Sequence, residues 1–342
     1  MPKKTLLDII RECDNLTEPS FPYCADNPAL YRAILQDYYA FKVSGCPHLL
    51  GHVPKHIVRA FNFPSAGWTV NHQSQELILG ANLPPSSITT GETRRETLTS
   101  VMASTLRQMS QSQHPQLSKL PKTWRNETFP ICHPRTGEIL LEIERSASAL
   151  FGILTSGVQL TCYVDDPQRG LLLWIARRSR TKPTYPGLLD NTAAGGLETR
   201  LFWRPVEAVI REAVEEGSLD ENLVRRGLRG AGAISYYHVK RPSEGCDVGL
   251  LQPEVEYVYE LRLDRGIVPV PGDGEVERLY LWSVEEVLGA LREGEFKLNS
   301  AVAVIDFLIR HGLVTAENEE SYLEIVSRLH RRLEVGGCGE TL

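Results

Sequence analysis

The sequence of 342 residues predicts an α/β (α+β) protein in which a mixed sheet packs against helices and follows a smaller α/β segment. Two observations lead to this prediction. Apolar runs of strand length are concentrated after about residue 145, where they alternate with amphipathic helices. Before that point, short strand-like runs are mixed with helices. We therefore predict one domain at 1–140 and a second at 141–342.

The first third of the chain has apolar residues at helical spacing in three places and short strand-like runs in two. The predicted helices are at 6–13, 29–41 and 92–110, and the predicted strands are at 68–71 and 76–79. The polar stretch at 111–119 predicts a loop.

The remainder of the chain carries the longer strands. β-Branched and aromatic residues predict strands at 153–164, 171–176, 231–239 and 254–263. A loop at 183–196 is predicted to lead to a helix at 205–217, and further helices are predicted at 284–291, 300–311 and 319–333.

Composition excludes several classes of protein. The net charge is −6 and the isoelectric point about 5.9, so no basic domain indicates nucleic-acid binding. No apolar run approaches the length of a membrane span, and the sequence start, with Asp8, does not read as a secretory signal. We expect a cytoplasmic protein without a nucleic-acid or membrane partner.

Three glutamates on the helix at 205–217 carry the strongest chemical signal. Glu212, Glu215 and Glu216 fall at i, i+3 and i+4, so they crowd together and repel one another. A hard divalent cation relieves that repulsion, because Mg²⁺ prefers oxygen ligands. The opposite, apolar face is predicted to be made by Val206, Val209, Ile210, Ala213 and Val214. Taken alone, three glutamates at this spacing more often form a solvated acidic face.

The run from Arg211 to Glu216 resembles the core of the Nudix box, in which Gly, Glu and Arg-Glu-X-X-Glu-Glu stand at fixed spacing. The resemblance implies a Nudix α/β/α sandwich that cleaves diphosphates with Mg²⁺ or Mn²⁺. It implies that Glu215 and Glu216 are metal ligands and that Glu212 is a ligand or a catalytic residue. Arg211 would orient these carboxylates. The backbone of a Gly195-Gly196 turn would face the metal and the substrate.

The upstream half of the box departs from the pattern. The step from Gly195 to Arg211 is 16 residues, two more than the pattern requires, and Trp203 stands where the first glutamate is expected. We expect Arg211 to pair with Glu207 or Glu215 instead, and we predict an impaired but active hydrolase. The alternatives are a degenerate Nudix fold that binds a diphosphate without turnover, and prenyl-diphosphate isomerase chemistry.

A wider resemblance covers nearly the whole chain. Segments such as Trp124-Arg125-Asn126-Glu127 and Leu251-Gln252-Pro253-Glu254 are similar to fungal thiamine pyrophosphokinase-related Nudix hydrolases. The resemblance implies hydrolysis of thiamine diphosphate, or its oxidised forms, to the monophosphate. Glu275 would reach the metal site or act as base. A basic cluster would bind the small-molecule diphosphate through Arg177, Arg178, Arg180 and Lys182. Trp124, Trp174, Tyr236 and Tyr237 are candidates to stack a ring, although core packing is the commoner role.

Overall fold

A computed structural model describes residues 3–16, 28–83, 91–240 and 248–335, with side chains of the second range from Tyr31 onward. The strands fall into a four-stranded sheet, a two-stranded hairpin and a seven-stranded sheet. No helix in these ranges is long and apolar enough to cross a membrane. The predicted fold class is confirmed, because helices and mixed sheets alternate along the chain.

The four-stranded sheet has the order β2-β1-β4-β3, in which β1 and β4 are parallel and the other pairs antiparallel. Its apolar residues share one core with the hairpin β5–β6 and with α4 and α6. The elements up to the end of this core are α1 (Leu6–Cys13), α2 (Pro28–Leu35), β1 (Tyr38–Val43), β2 (Cys46–Pro54), α3 (Lys55–Ala60), β3 (Trp68–Asn71), β4 (Glu76–Leu79), α4 (Gly91–Met109), α5 (Leu120–Thr123), β5 (Thr128–Cys132), β6 (Ile139–Glu144) and α6 (Ser148–Phe151).

The seven-stranded sheet has the order β11-β12-β7-β8-β13, with β10 added to β7 and β9 added to β8. β7 and β12 are parallel, whereas the other pairs are antiparallel. Its elements are β7 (Thr155–Asp166), β8 (Gly170–Arg178), β9 (Leu189–Asp190), β10 (Ala193–Gly196), α7 (Pro205–Gly217), α8 (Glu221–Gly227), β11 (Arg229–Val239), β12 (Leu251–Arg262), β13 (Val276–Ser283), α9 (Val284–Glu293), α10 (Leu298–Arg310) and α11 (Tyr322–Arg328).

Helices cover both faces of this larger sheet. Alternate residues of β7 point to opposite sides, so Val158 and Leu160 pack with α7 while Tyr163 packs with α10. The side that faces α10 also receives the apolar face of α1, which therefore packs far from its neighbours in sequence. The predicted division near residue 140 stays a prediction.

Three element predictions were wrong in part. The predicted helix at 29–41 ends at Leu35, and Tyr38–Val43 forms β1, because aromatic and apolar residues there pair with two other strands. The predicted loop at 183–196 contains β9 and β10. The predicted last helix at 319–333 is confined to Tyr322–Arg328.

Candidate active site

Helix α7 spans Pro205–Gly217, as the sequence predicts. Pro205 occupies the first turn, where its missing N–H costs nothing, and Ser218 ends the helix in the left-handed conformation with φ of 47°. Val209, Ile210 and Ala213 face the sheet. Val206 and Val214 are exposed, so the predicted apolar face is narrower than expected. Its narrowness leaves room for a glutamate on the sheet side.

Glu212 lies directly over Gly195 of β10. A Cβ on Gly195 would be 2.3 Å from both Cδ and Oε1 of Glu212, so no residue larger than glycine fits without moving the carboxylate. Burial raises the pKa of Glu212, against the effect of Arg211. The glycines were predicted to form a turn; this was wrong, since Ala193–Gly196 pairs with β7. The strand nevertheless brings its backbone to the carboxylate.

Glu216 is buried between α7 and β10, and Glu215 is exposed. One oxygen of Glu216 accepts the backbone N–H of Ala194 at 2.8 Å. Burial and then the negative charges of Asp190 and Glu212 raise the pKa of Glu216 well above its ordinary range. The Glu215 side chain is 52% exposed and lines the main cavity. The three glutamates thus share a helix but not one solvated face.

Arg211 is held by a carboxylate that the sequence reasoning passed over. Its Nη1 donates to Glu198 at 2.8 Å and its Nη2 to Glu212 at 3.0 Å. The expected partner Glu207 pairs with Arg225 instead, and Glu215 lies 3.8 Å from Arg211 Nε. Burial raises the pKa of Glu198, but the hydrogen bonds from Arg211 and Arg200 outweigh this effect and lower it overall. The longer loop still delivers a glutamate to Arg211.

The loop at 199–203, which carries the two extra residues, docks on the hairpin β5–β6. The N–H of Thr199 donates to the Thr128 carbonyl at 2.8 Å, and the two threonine hydroxyls lie 3.0 Å apart. The ring of Trp203 covers Gly137 at the hairpin turn, where an added Cβ would lie 3.1 Å from the indole. The longer loop therefore contacts the hairpin β5–β6, which a loop two residues shorter would not reach in the same way.

Glu275 comes from the loop before β13 and reaches the same region. Gly272 of this loop abuts the last turn of α7, since a Cβ there would be 2.1 Å from the Glu215 carbonyl oxygen. Glu275 accepts a hydrogen bond from Lys182. Although burial opposes it, this contact lowers the pKa of Glu275. The predicted approach of Glu275 to the box glutamates fits its charge interactions with Glu212 and Glu216.

The predicted basic cluster divides in two. Arg178 and Lys182 line the cavity, but Arg178 donates to Asp190 at 2.6 Å and to the carbonyls of Thr184 and Tyr185. Its guanidinium therefore holds the loop in shape. Arg177 donates to the Gly187 carbonyl, and Arg180 is exposed beside Glu277. The structure does not bring these last two to the cavity lining.

The cavity has a volume of about 850 Å³ and is lined by residues of the hairpin strand β5 and of the seven-stranded sheet. Arg145, which follows β6, lines it and pairs with Glu127 at 2.6 Å. A Cβ on Gly196 would lie 3.2 Å from the Arg145 guanidinium carbon, so this cation sits against β10. Sequence reasoning assigned no role to Arg145, because nothing local marks its position. Trp124 and Tyr236 also line the cavity, whereas Trp174 and Tyr237 belong to core clusters.

The donor set fits a hard divalent cation. Glu212, Glu215 and Glu216 offer only oxygen atoms, which suits Mg²⁺ or Mn²⁺. A cation would also favour the charged form of buried Glu216. Within the described ranges no three acidic, histidine or cysteine side chains already form a ligand set. Arg211 and Lys182 take oxygens of Glu212 and Glu275 in this structure.

Comparisons with known proteins point the same way. No protein-family model matches the chain. The chain is 40% identical over 217 residues to an uncharacterized protein of Saccharomyces cerevisiae, covering 62% of each. It is 34% identical over 210 and 216 residues to Nudix hydrolase 20, chloroplastic, and Nudix hydrolase 24, chloroplastic, of Arabidopsis thaliana. Two of these three relatives are named Nudix hydrolases, and the chain spans about 53–62% of the length of the three.

Solved structures show weaker likeness. A Deinococcus radiodurans protein is 21% identical with a TM-score of 0.37, covering 60% of this chain and 100% of its own. The NUDIX domain of Shewanella oneidensis NrtR, complexed with ADP ribose, is 14% identical with a TM-score of 0.36, covering 47% and 90%. Both scores are low, so the fold described above rests on this chain's own sheets and helices.

Proposed function

We propose that this chain is a Nudix-type hydrolase that cleaves a diphosphate bond with Mg²⁺ or Mn²⁺. The observation that carries the proposal is the placing of Glu212, Glu215 and Glu275 on one cavity with Lys182 and Arg145. The carboxylates can hold a divalent metal ion, and the side chains of Lys182 and Arg145 can bind phosphate oxygens. The printed names of the two Arabidopsis relatives support the same class of enzyme.

Each residue has a distinct task in this proposal. Glu215 and Glu216 would hold the metal with Glu212, and the bound cation would supply Lewis-acid chemistry on the diphosphate. Arg211, clamped between Glu198 and Glu212, orients the carboxylates. Glu212 or Glu275 takes the proton of the attacking water. Lys182 and Arg145 face the substrate oxygens, and the backbone of Gly195 and Gly196 lies beside them.

The non-catalytic alternative was motivated by the absence of the first box glutamate. Glu198 argues against this alternative, because it supplies a carboxylate partner for Arg211. We therefore favour turnover over binding alone. As substrate we propose thiamine diphosphate or its oxidised forms, which would give the monophosphate and phosphate, as the wider sequence resemblance implies. A cytoplasmic location stays a prediction.

A phosphate-release screen with Mg²⁺ tests the proposal. The substrates are thiamine diphosphate, its oxo forms, ADP-ribose, NADH and dinucleotides, the last three with a phosphatase added to liberate phosphate. Release from a thiamine ester supports the full proposal. If only a nucleotide substrate is cleaved, the chain is still a diphosphate hydrolase, but thiamine diphosphate is not its substrate. If no compound is cleaved by the wild-type chain, while the same compounds bind, the binding alternative replaces the hydrolase.

A further inference from the structure

A second buried carboxylate lines the same cavity, on β12. Glu256 is 2% exposed. Its Oε1 accepts from Asn299 Nδ2 at 2.7 Å and lies 3.4 Å from the Tyr236 hydroxyl. Its Oε2 has no hydrogen-bond partner in the described part of the chain. An unpaired buried carboxylate oxygen costs free energy, which a ligand that bonds to it recovers.

The free oxygen lies over Gly157, at the start of β7. Strand pairing places Gly157 between Gly196 on β10 and Glu256 on β12. A Cβ on Gly157 would be 2.3 Å from Glu256 Oε2 and 3.1 Å from the carbonyl oxygen of Gly195. Glu256 Oε2 therefore packs against Gly157, where a larger residue would displace it, and the Gly195 carbonyl oxygen lies close by. Two acceptor oxygens so near each other favour a hydrogen-bond donor beside them.

Among the described residues, Glu256 has no direct ion-pair partner. Its neighbours are Glu254 on the same strand, Tyr236 on β11, Gln159 on β7, and Lys297 and Asn299 at the start of α10. Burial and then the charge of Glu254 raise the pKa of Glu256 to about 8, against the effects of Lys297, Asn299 and Gln159. Burial therefore favours the protonated form of this carboxyl group.

A nitrogen base satisfies such a carboxyl group in either protonation state. A neutral carboxyl donates its O–H to the nitrogen lone pair, or passes the proton over and accepts the resulting N–H. An N–H of the same group can donate to the Gly195 carbonyl. Trp124 and Tyr236, which also line the cavity, offer aromatic surface to a flat ring.

We propose that Glu256 and the carbonyl of Gly195 form a subsite for a basic nitrogen group, such as an amino-substituted heterocycle, on the part of the substrate away from the diphosphate. The inference rests on the proposed function for the location of the diphosphate. Independently of the thiamine resemblance, it requires a diphosphate that carries a nitrogen base, and it excludes purely hydrocarbon or sugar diphosphates.

The test is equilibrium binding of monophosphates, which have no diphosphate bond to cleave. Calorimetry with Mg²⁺ would compare thiamine monophosphate and AMP, which carry a nitrogen base, with isopentenyl monophosphate, which does not. We expect the better base-bearing probe to bind at least about tenfold more tightly than the base-free probe. Glu256→Gln should remove about that factor and leave the base-free probe unchanged.

Two further variants guard against a general loss of structure. Gly157→Ala should lower the same preference, because the new Cβ displaces Glu256 Oε2. Glu260→Gln is the matched control, a buried carboxylate on the same strand that pairs with Arg310 outside the cavity lining. It should leave the preference intact, whatever it does to the melting temperature.

Equal binding of the two kinds of probe by the wild-type chain, or unchanged binding by Glu256→Gln, would overturn the inference. So would a loss of Mn²⁺ affinity in Glu256→Gln without any probe, since the oxygen would then be a metal ligand. Binding needs no turnover, so a chain that cleaves nothing but shows the preference refutes only the proposed hydrolase. A chain that cleaves diphosphates without the preference refutes only the subsite.

Discussion

The two ends of the cavity bury carboxylates in opposite ways. At the α7 end, Glu198 and Glu212 share Arg211, and Glu275 bonds to Lys182. At the β12 end, Glu256 meets the neutral donors Asn299 and Tyr236 and keeps one oxygen free. Despite burial, the cations beside Glu198 and Glu275 lower the pKa of these two carboxyl groups, whereas burial raises the pKa of Glu256 and also of Glu216 on α7, which have no direct cation partner among the described residues.

This difference separates two kinds of chemistry in one cavity. The charged end suits a divalent cation and phosphate oxygens, which are themselves charged. The neutral end suits a polar group that can share a proton. Removing the metal or a carboxylate charge should therefore reduce turnover through the α7 end. A change of pH should alter stability through Glu256 at the β12 end.

Removal of metal should give the largest effect, and it should act at the α7 end. Excess chelator is expected to stop diphosphate turnover, and Mg²⁺ or Mn²⁺ added beyond the chelator should restore it. Phosphate release measures the rate, and circular dichroism checks that the fold survives. Turnover at the full rate in excess chelator would rule out the metal mechanism.

Glu216→Gln should come next, with a loss of at least about 100-fold in turnover. The reason is that partners outside the metal shell already contribute about 10–100-fold. The variant should fold, because the amide can still accept the Ala194 N–H and its burial no longer requires a charge. Glu207→Gln is the control on the same helix, since Glu207 pairs with Arg225 on the surface. Equal rates for the two variants would remove Glu216 from the ligand set.

Glu198→Gln tests whether the longer loop replaces the missing box glutamate. We expect about a 10–100-fold lower rate or metal affinity, because Arg211 loses its carboxylate partner at 2.8 Å. A Mg²⁺ titration of the rate separates the two effects. Glu221→Gln, which changes an exposed partner of Arg225, serves as control. An unchanged titration curve would return the chain to the impaired enzyme that the sequence predicts.

The smallest effect concerns stability at the β12 end. The pKa of Glu256 is about 8 in the folded chain and near 4.5 when unperturbed, so the folded state holds the extra proton between these values. Stability from this group is full below pH 4.5 and is lost as pH rises toward 8. Glu256→Gln should therefore melt higher than wild type at pH 8.5 and show less advantage at pH 5. A melting difference that does not change with pH would contradict an unpaired acid.

Local pattern predicted α7 and its glutamates because spacing, an early proline and an end signal all lie within thirteen residues. It failed where distant strands decide the outcome. Residues 38–41 read as helical in the sequence, but in the structure they belong to β1, which pairs with β2 and β4. No local sequence pattern indicates the roles of Glu198, Arg145 and Glu256. These roles depend on the path of the loop before α7, on the position of the hairpin and on the strand register at Gly157.

The contact of Thr199 and Trp203 with the hairpin has a consequence for how such a chain can be recombined. The hairpin lies across the predicted division near residue 140, so a cut there would part β5 from β6 and strip the loop of Thr128. Exchange between relatives would succeed only when hairpin and loop are inherited as one module. The hairpin β5–β6 therefore supports the loop before α7, although it contributes none of the residues of the Nudix-box pattern.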